Sequence, residues 1–236
     1  MDYAESLSEG RLLRRYQRFL ADVELADGEV ITAHVPNTGS LLGCLEAGQG
    51  ARLSRARDTT RRCPYTLEQI QVGTVWVGVN THRANALVGE ALGRGAIGEV
   101  SGYARHRPEV PYGQQRSRID WLLDDQNAPA CYLEVKSVTT SLESGVGLFP
   151  DAVSQRALKH LKELRDCVVH GGARGVLLFC VQRPDIHVVH PADAIDPAYG
   201  RLLRDVMREG VEVLAYGVEP TRTGLLWGPR IGVHYP

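Results

Sequence analysis

The chain of 236 residues is poor in cysteine and has no long apolar run. Its five cysteines are scattered and form no CxxC pair, so we expect neither a disulfide framework nor a zinc site, and a reducing cytoplasm is the natural compartment. No apolar run approaches the roughly 20 residues that a membrane-spanning helix needs. The start, MDYAESLSEG, is acidic and polar, unlike a signal peptide. The sequence therefore predicts a cytoplasmic protein without a membrane partner.

An excess of charge of either sign is also missing, because the formal net charge is −1 at pH 7. Any surface that binds nucleic acid must then be a local one. Lysine is rare: the 27 basic residues are arginines apart from Lys136, Lys159 and Lys162. A lysine in such a chain is a candidate for a position that needs a compact amine instead of a planar guanidinium.

Several familiar motifs are absent as well. The chain has no glycine-rich phosphate loop of the Walker or Rossmann type, and no helix-turn-helix or zinc-finger pattern. The lack of a base-reading module disfavours a sequence-specific repressor. The histidines show no metal-ligand spacing, so we expect structural or surface roles for His34, His82, His106 and His160.

The first 80 residues consist of short strand-like runs separated by turns. These runs are LLRRYQRFLADVEL, VITAHV, ARLSRAR, YTLEQIQV and TVWVGV. Strands at intervals of about ten residues predict a small antiparallel barrel or sandwich, and a five-stranded barrel of the oligonucleotide-binding (OB) type fits the count. We therefore predict an OB-fold-like nucleic-acid-binding domain over residues 1–80, although the periodicity alone does not distinguish it from other small barrels.

The pattern changes after residue 80. RANALVGEALGRG has helical spacing, RIDWLLD and ACYLEVKSV read as two strands joined by a turn, and AVSQRALKHLKELRDCVVHGG is a long amphipathic helix with Asp151 as its expected N-cap. GVLLFCVQ has the continuous apolar character of a strand that is buried on both faces. This order predicts an α/β domain with a mixed sheet over residues 81–236.

Two of these strands carry charged residues that a core strand does not need. Asp120 lies in RIDWLLD, and Glu134 and Lys136 lie two positions apart in YLEVKS. Alternate residues share a face of a strand, so Glu134 and Lys136 point the same way, and pairing of the two strands brings Asp120 beside Glu134. Two carboxylates on one face repel each other unless a cation lies between them, and oxygen ligands suit Mg²⁺ or Mn²⁺.

The lysine beside these carboxylates can orient the attacking water or stabilise charge on a phosphate. The three residues together therefore favour metal-dependent hydrolysis of a phosphodiester, with Asp120, Glu134 and Lys136 as catalytic residues and the two carboxylates as metal ligands. The simpler alternative is an ion pair on a half-exposed strand.

The order of a helix, an aspartate, a hairpin and a Glu-x-Lys triplet resembles the core of the PD-(D/E)XK nuclease superfamily. In that superfamily a glutamate of the preceding helix often joins the metal ligands, so the resemblance implies Glu90 as a further ligand, with Glu99 as the weaker alternative. The following helix often faces the site with polar residues, a role for which Gln155, Arg156 and Lys159 qualify.

Longer blocks resemble the sugar fermentation stimulation protein A family. They include RRYQRFLADVEL, AHVPNTGSLLGCL, VGVNTHRANALVGEAL, SRIDWLL, YLEVKSVT, LFPDAVSQRALKHL and DPAYGRLL, and they run from about residue 11 to residue 216. The resemblance implies an OB-type barrel followed by a restriction-endonuclease-like domain, in agreement with the patterns above. It also implies DNA binding, with a role in regulating sugar metabolism, whereas a nuclease activity follows from the fold only.

Basic residues interleaved with aromatic residues predict a DNA-binding surface on the barrel. Arg14, Arg15 and Arg18 flank Tyr16 and Phe19, a pattern that suits contacts to a backbone and to stacked bases. Contacts of this kind give salt-sensitive affinity that is largely independent of sequence.

Two further segments extend this predicted surface. One segment is the basic run formed by Arg52, Arg55, Arg57, Arg61 and Arg62, which is either a DNA contact or a solvated loop. The other is the HVPNTGS turn, which either contacts phosphate or only closes a turn. The complete predicted set of DNA-binding residues is Arg14, Arg15, Tyr16, Arg18, Asn37, Thr38, Arg55, Arg57, Arg156 and Lys159.

Two other functions remain open. A non-catalytic, sequence-nonspecific DNA-binding regulator of sugar metabolism would have the same basic surface, with Asp120 and Glu134 as structural relics. A sugar-active enzyme would use the two carboxylates as an acid/base pair. The low aromatic content of 6% and the neighbouring Lys136 fit a phosphate better than a glycosidic oxygen.

Overall fold

The computed structural model describes residues 1–56, 58 and 60–235. In it, the first strand-like run folds as a hairpin of two antiparallel strands, β1 (Ser8–Tyr16) and β2 (Leu20–Leu25). Gln17 and Arg18 form the turn with positive φ angles of 46° and 63°. The prediction of a single first strand is therefore wrong. The turn allows inward-facing apolar residues of both strands to reach one core.

The remaining strands of the barrel are β3 (Val30–His34), β4 (Gly50–Arg55), β5 (Tyr65–Val72) and β6 (Val75–Gly78). Antiparallel pairs join β1 to β2 and β4, β2 to β3, and β4 to β5. A short parallel pairing of β3 with β5 closes the cylinder, and β6 extends it beside β5. This strand order and the buried apolar interior confirm the predicted OB-type barrel.

The second domain is built on a mixed sheet. Its strands are β7 (Arg105–Tyr112), β8 (Ser117–Asp124), β9 (Cys131–Val138), β10 (Thr140–Glu143), β11 (Val146–Phe149), β12 (Arg174–Val181), β13 (Val188–Pro191), β14 (Glu212–Pro220), β15 (Leu225–Arg230) and β16 (Gly232–Val233). The main sheet has the order β15-β14-β12-β9-β8-β7, and β10, β11, β13 and β16 form a smaller sheet. The central pairs β9–β12 and β12–β14 are parallel, and β7–β8, β8–β9 and β14–β15 are antiparallel, which confirms the predicted α/β domain with a mixed sheet.

Helices cover both faces of this sheet. Helix α1 (His82–Gly93) packs with Leu133, Val135 and Leu178 on one face, and α2 (Gln155–Val169) and α3 (Pro197–Arg208) pack on the other. A short 3₁₀ helix follows α1 at Gly98–Val100. The central strands are buried on both faces, as the continuous apolar run in GVLLFCVQ predicts.

Helix α2 begins at a different cap from the predicted one. The hydroxyl of Ser154 accepts the N–H of Ala157 at 3.1 Å, so Ser154 is the N-cap and the prediction of Asp151 is wrong. The carboxylate of Asp151 instead accepts the N–H of Leu41 at 3.1 Å. Asp151 therefore connects the second domain to the barrel.

The edge strand β7 was not predicted, because its sequence RHRPEVPY contains Pro108 and Pro111. A proline lacks the N–H that a central strand needs for its ladder, but an edge strand can tolerate the loss. Glu109, between the prolines, has a φ of 54° and interrupts the regular strand conformation. A proline-rich segment can thus complete the sheet only from its edge.

Buried polar contacts join the two domains. Glu68 of β5 is 1% exposed, and its carboxylate accepts bonds from Arg83 at 2.6 Å, Ser54 at 2.7 Å and Asn80 at 2.9 Å. The chain passes from the barrel to α1 across residues 79–81, beside the predicted domain boundary. Among the described residues, no helix has the length and apolar character needed to cross a membrane.

Candidate active site

The pairing of β8 with β9 ends where the acidic residues begin. The antiparallel ladder reaches Trp121 opposite Leu133. At the next position it is the side chain of Asp120 that contacts the neighbouring strand, because its Oδ2 accepts the N–H of Val135 at 2.7 Å. The end of the ladder leaves the carboxylate at the wall of an open cleft.

Helix α1 holds the other oxygen of this carboxylate. Asn85 Nδ2 donates to Asp120 Oδ1 at 2.7 Å, and Asn85 Oδ1 accepts the indole N–H of Trp121 at 2.9 Å. The helix can approach β8 this closely because residue 89 is a glycine, where a Cβ would lie 2.4 Å from the Trp121 ring. Both oxygens of Asp120 therefore have fixed donors.

Glu134 and Lys136 lie on the opposite face of β9 from Val135, as strand alternation predicts. Val135 packs into the core beneath α1, whereas Lys136 Nζ donates to Glu134 Oε1 at 2.6 Å. His160 of α2 contacts the same oxygen through Nδ1. Burial alone would raise the pKa of Glu134, but Lys136 and His160 outweigh it and hold that pKa below its ordinary value. Glu134 is thus a buried carboxylate kept in its charged form.

The pKa of Asp120 is shifted in the opposite direction from that of Glu134. Burial, followed by the charge of Glu134, raises the pKa of Asp120 to about 6. The hydrogen bond from Val135, the charge of Lys136 and the bond from Asn85 oppose this change without cancelling it. A carboxylate that resists ionisation beside a second, charged carboxylate is typical of a functional site.

The donor set fits a hard divalent cation. Glu134 Oε2 is buried and has no hydrogen-bond partner among the described residues, although buried carboxylate oxygens normally bind a donor or a cation. Within residues 1–56, 58 and 60–235, no group of three His, Cys, Asp or Glu side chains is arranged to hold a metal. Two carboxylates suffice for Mg²⁺ or Mn²⁺, which commonly complete their shells with water and substrate phosphate.

The cleft around these residues is shared by both domains. Its volume is about 530 Å³, and Asp120, Glu134 and Lys136 line it together with Glu109 of β7 and Arg156 of α2. The barrel supplies the wall formed by Arg18, Asn37, Thr38 and Gly39. Predicted catalytic residues and part of the predicted DNA-binding set thus lie in one cavity.

A close contact fixes the barrel wall of the cleft. Ser40 Oγ donates to the carbonyl of Asp151 at 2.6 Å, and the Asp151 carboxylate accepts the N–H of Leu41 at 3.1 Å. Gly39 leaves room for this carboxylate, because a Cβ at residue 39 would lie 2.1 Å from its Oδ2. Arg15 supports the same turn by donating to the carbonyls of Asn37, Gly39 and Ser40.

The structure does not bring Glu90 to the predicted metal ligands. Its carboxylate pairs with the amino terminus of Met1 at 3.0 Å and with Arg94, and it lines a different cavity beside Leu226 and Trp227. At 100° per residue, five positions separate Glu90 from Asn85 by about 140° around the helix. The residue of α1 that contacts Asp120 is therefore Asn85.

The other predicted DNA-binding residues are dispersed. Arg14 pairs with Asp22 at 2.8 Å and stacks over Tyr16 on the outside of the barrel. Outside the cleft wall, Lys159 donates to the carbonyl of Gln115 at 2.6 Å, and Arg55 stacks over Tyr65. Arg57 lies outside the described residues.

Sequence reasoning missed Asn85, Glu109 and His160. His160 was expected to be structural or on the surface, but it is 7% exposed and contacts Glu134. Its position four residues after Arg156 on one helix face was an available signal. Glu109 could not be assigned to the site because strand β7 was not predicted. No sequence motif marks Asn85 as a site residue.

The fold and the cleft define a class of protein: an OB-type barrel followed by a mixed α/β domain, with a carboxylate–lysine cluster at their junction. The model of the SfsA N-terminal OB domain matches residues 13–79, and that of the sugar fermentation stimulation protein RE domain matches residues 82–224. The chain belongs to the sugar fermentation stimulation protein (SfsA) family, which confirms the family expected from the sequence blocks.

The similarity to relatives extends over nearly the full chain. The sugar fermentation stimulation protein homolog of Citrifermentans bemidjiense is 53% identical over 223 residues, covering 94% of this chain and 95% of the relative. That of Halorhodospira halophila is 48% identical over 238 residues, covering 100% and 98%. The solved structure of Pyrococcus furiosus SfsA in complex with Ca²⁺ has the same fold, with a TM-score of 0.88 at 23% identity, covering 99% of this chain and 98% of that one.

Proposed function

We propose that the protein is a DNA-binding, divalent-metal-dependent phosphodiesterase whose active site is the cleft between the two domains. The observation that carries this proposal is the convergence of Asp120, Glu134 and Lys136 on a cavity that also contains Arg18 and Arg156. Carboxylates, an amine and guanidinium groups together match the charges of a cation and a phosphodiester.

The two carboxylates have the role of metal ligands in this proposal. Asp120 and Glu134 hold Mg²⁺ or Mn²⁺, and the unpartnered Glu134 Oε2 supports this assignment. When bound, the cation polarises the phosphate and lowers the pKa of a water. The solved relative from P. furiosus is in complex with Ca²⁺, a cation that also prefers oxygen ligands.

The remaining residues position the reactants. Lys136 Nζ donates to Glu134 Oε1 at 2.6 Å and can orient the attacking water or stabilise charge on the phosphate. His160 holds Glu134 from the side of α2. Arg18 and Arg156 contact the phosphates that flank the scissile bond, which makes binding salt-sensitive.

A cleavage assay tests this function. Purified protein is incubated with single- and double-stranded DNA in the presence of Mg²⁺, Mn²⁺ or EDTA. We expect cleavage with either metal, none with EDTA, and a loss of at least about a hundredfold in Lys136→Ala, in line with the removal of a charge-stabilising group. Lys162→Ala removes an exposed lysine of α2 and should cleave like the wild type.

A non-catalytic DNA-binding regulator of sugar metabolism is the second candidate. It is favoured by the contacts of Lys136 and His160 with Glu134, because these already neutralise the buried carboxylate without a cation. Salt-sensitive DNA binding with no cleavage under any metal would support this candidate and contradict the phosphodiesterase.

A further inference from the structure

A second cavity lies beside the active-site cleft, and we name it the barrel pocket. Its volume is about 640 Å³, and its walls come from the N-terminal segment, the barrel and the start of α1. His82 lines both this pocket and the active-site cleft. The two cavities therefore meet at this one exposed side chain.

The ridge between the cavities is narrow and well defined. The carbonyl of Pro36 accepts the hydroxyl of Thr81 at 2.8 Å and the N–H of Thr81 at 3.3 Å. Pro36 lines the barrel pocket, whereas Asn37 and Thr81 line the cleft. A chain that lies in one cavity needs to cross only this ridge to enter the other.

The barrel pocket combines aromatic rings with arginines. The guanidinium of Arg55 lies 5.8 Å from the centre of the Tyr65 ring, and Arg61 lines the same pocket. In the part of the chain that the structure describes, neither arginine forms an ion pair with a carboxylate. Asp58 lies within electrostatic range of Arg61 but does not line the pocket.

The acids of the pocket do not cancel this positive charge. Glu68 is buried and already paired with Arg83, which leaves Glu5 as the other acidic residue of the lining. The pKa of His34 is lowered, first by burial and then by the positive charges of Arg61 and His82. The floor of the pocket thus lies in a positive field that favours an anion.

We propose that the barrel pocket binds an unpaired nucleotide of the same strand whose phosphodiester lies in the active-site cleft, so that the substrate is single-stranded nucleic acid crossing the ridge at His82. The inference rests on the proposed function and specifies its substrate. A base reaches a recessed ring such as Tyr65 only when it is not paired within a duplex. The volume lies within the range of roughly 300–1,000 Å³ that holds small ligands, and so admits a nucleotide.

Binding measurements in EDTA separate this interaction from cleavage. Fluorescence anisotropy is recorded with a labelled single-stranded 12-mer of thymidylate and with a 12-base-pair duplex at fixed salt. We expect Arg61→Ala to weaken binding of the single strand on the order of tenfold and binding of the duplex less than twofold, because a stacked, phosphate-bound nucleotide is lost only from the former. Arg201→Ala, which removes an exposed arginine of α3 that lines neither cavity, should leave both affinities unchanged.

Photocrosslinking provides a readout that does not depend on a substitution. A single 5-bromouracil is placed at successive positions of the 12-mer, and the crosslinked peptide is identified by mass spectrometry. We expect a crosslink from one or two adjacent positions at Tyr65 or at Tyr3, which also lines the pocket.

The possible outcomes distinguish the two proposals. Equal effects of Arg61→Ala and Arg201→Ala, or crosslinks confined to surfaces outside the pocket, would overturn the barrel-pocket inference while metal-dependent cleavage stood. A protein that binds neither the strand nor the duplex, and cleaves neither, would refute the proposed function itself.

Discussion

Asn85 donates a hydrogen bond to Asp120 at 2.7 Å and accepts one from the neighbouring Trp121 at 2.9 Å. One side-chain amide of α1 therefore sets the orientation of a carboxylate and of the indole beside it. Because the amide contacts the proposed metal ligand and not the substrate, Asn85 is a positioning residue. Such residues influence a metal site through the direction of its ligands.

Replacement of Asn85 by alanine tests this role. We expect affinity for Mn²⁺ to fall on the order of ten- to a hundredfold, because Asp120 loses the donor that orients it. Titration calorimetry measures the affinity, and circular dichroism shows whether the protein is folded. Glu90→Gln is the matched control on the same helix: it weakens the pairs with Met1 and Arg94, which lie outside the cleft, and should leave the affinity unchanged. Equal losses in both variants would contradict the role of Asn85.

His160 acts on the second carboxylate. His160→Ala removes the contact with Glu134 Oε1 and leaves Lys136 as its remaining partner, so we expect a ten- to a hundredfold loss of Mn²⁺ affinity, on the order seen for outer contacts of metal ligands. His160→Asn supplies an amide N–H near the position of Nδ1 and should restore part of that loss. His170→Ala, at the exposed end of the same helix, serves as the control. A failure of asparagine to restore any affinity would indicate that His160 only fills space.

Metal binding should depend on pH through Asp120, whose pKa is raised to about 6. Below this pKa the carboxylate is protonated and must release a proton to bind the cation, so affinity should fall by about tenfold per pH unit. Above pH 7 the carboxylate is already charged, and affinity should be constant. The lowered pKa of Glu134 keeps that residue charged throughout this window.

Calorimetric titrations with Mn²⁺ between pH 5 and 8, in buffers of different ionisation enthalpy, count the released protons. An affinity that is constant from pH 5 to pH 7 would mean that Asp120 titrates at an ordinary carboxylate value.

The pair between the buried Glu68 and the half-buried Arg83 should stabilise the junction of the domains. Arg83→Met leaves the carboxylate without its cation, and we expect a loss of about 2–3 kcal/mol in the free energy of unfolding. The value lies below the roughly 3–5 kcal/mol of fully buried pairs because Ser54 and Asn80 still donate to Glu68. Urea denaturation measures it. The control is Arg94→Met, which breaks the pair of Glu90 with the exposed Arg94 at the end of α1 and should cost less than about 1 kcal/mol. Equal losses of unfolding free energy in the two variants would refute the stabilising role of the pair between Glu68 and Arg83.

The site residues that could be predicted from the sequence depend on local strand geometry, whereas the missed ones depend on tertiary packing. Asp120, Glu134 and Lys136 could be grouped because strand alternation and one hairpin register determine which side chains share a face. The OB-type barrel could be predicted for a similar reason, since turn residues separate its strand-like runs in the sequence.

The missed residues depend on packing between elements that are distant in the sequence. Glu90 was predicted and Asn85 was missed because the sequence shows that both lie on one helix but not which of its faces meets β8. His160 needed the crossing of α2 over β9, and Glu109 needed an edge strand that its two prolines conceal. Local patterns identified the fold and the acidic cluster, whereas tertiary packing decided which neighbours complete that cluster.

Gly39 offers a test of whether the barrel wall belongs to the active site. Gly39→Ala would place a Cβ 2.1 Å from the Asp151 carboxylate, so the turn and its bonds to Asp151 must separate. We expect cleavage to fall by at least about tenfold, because misplacement of a positioning wall by about 1 Å can cost far more. Because Leu41 of the barrel core takes part in this contact, circular dichroism is recorded beside cleavage to verify that the variant is folded. Gly93→Ala is the control, since a Cβ there meets open space at the end of α1; wild-type cleavage by Gly39→Ala would show that the α/β domain forms the site without the barrel.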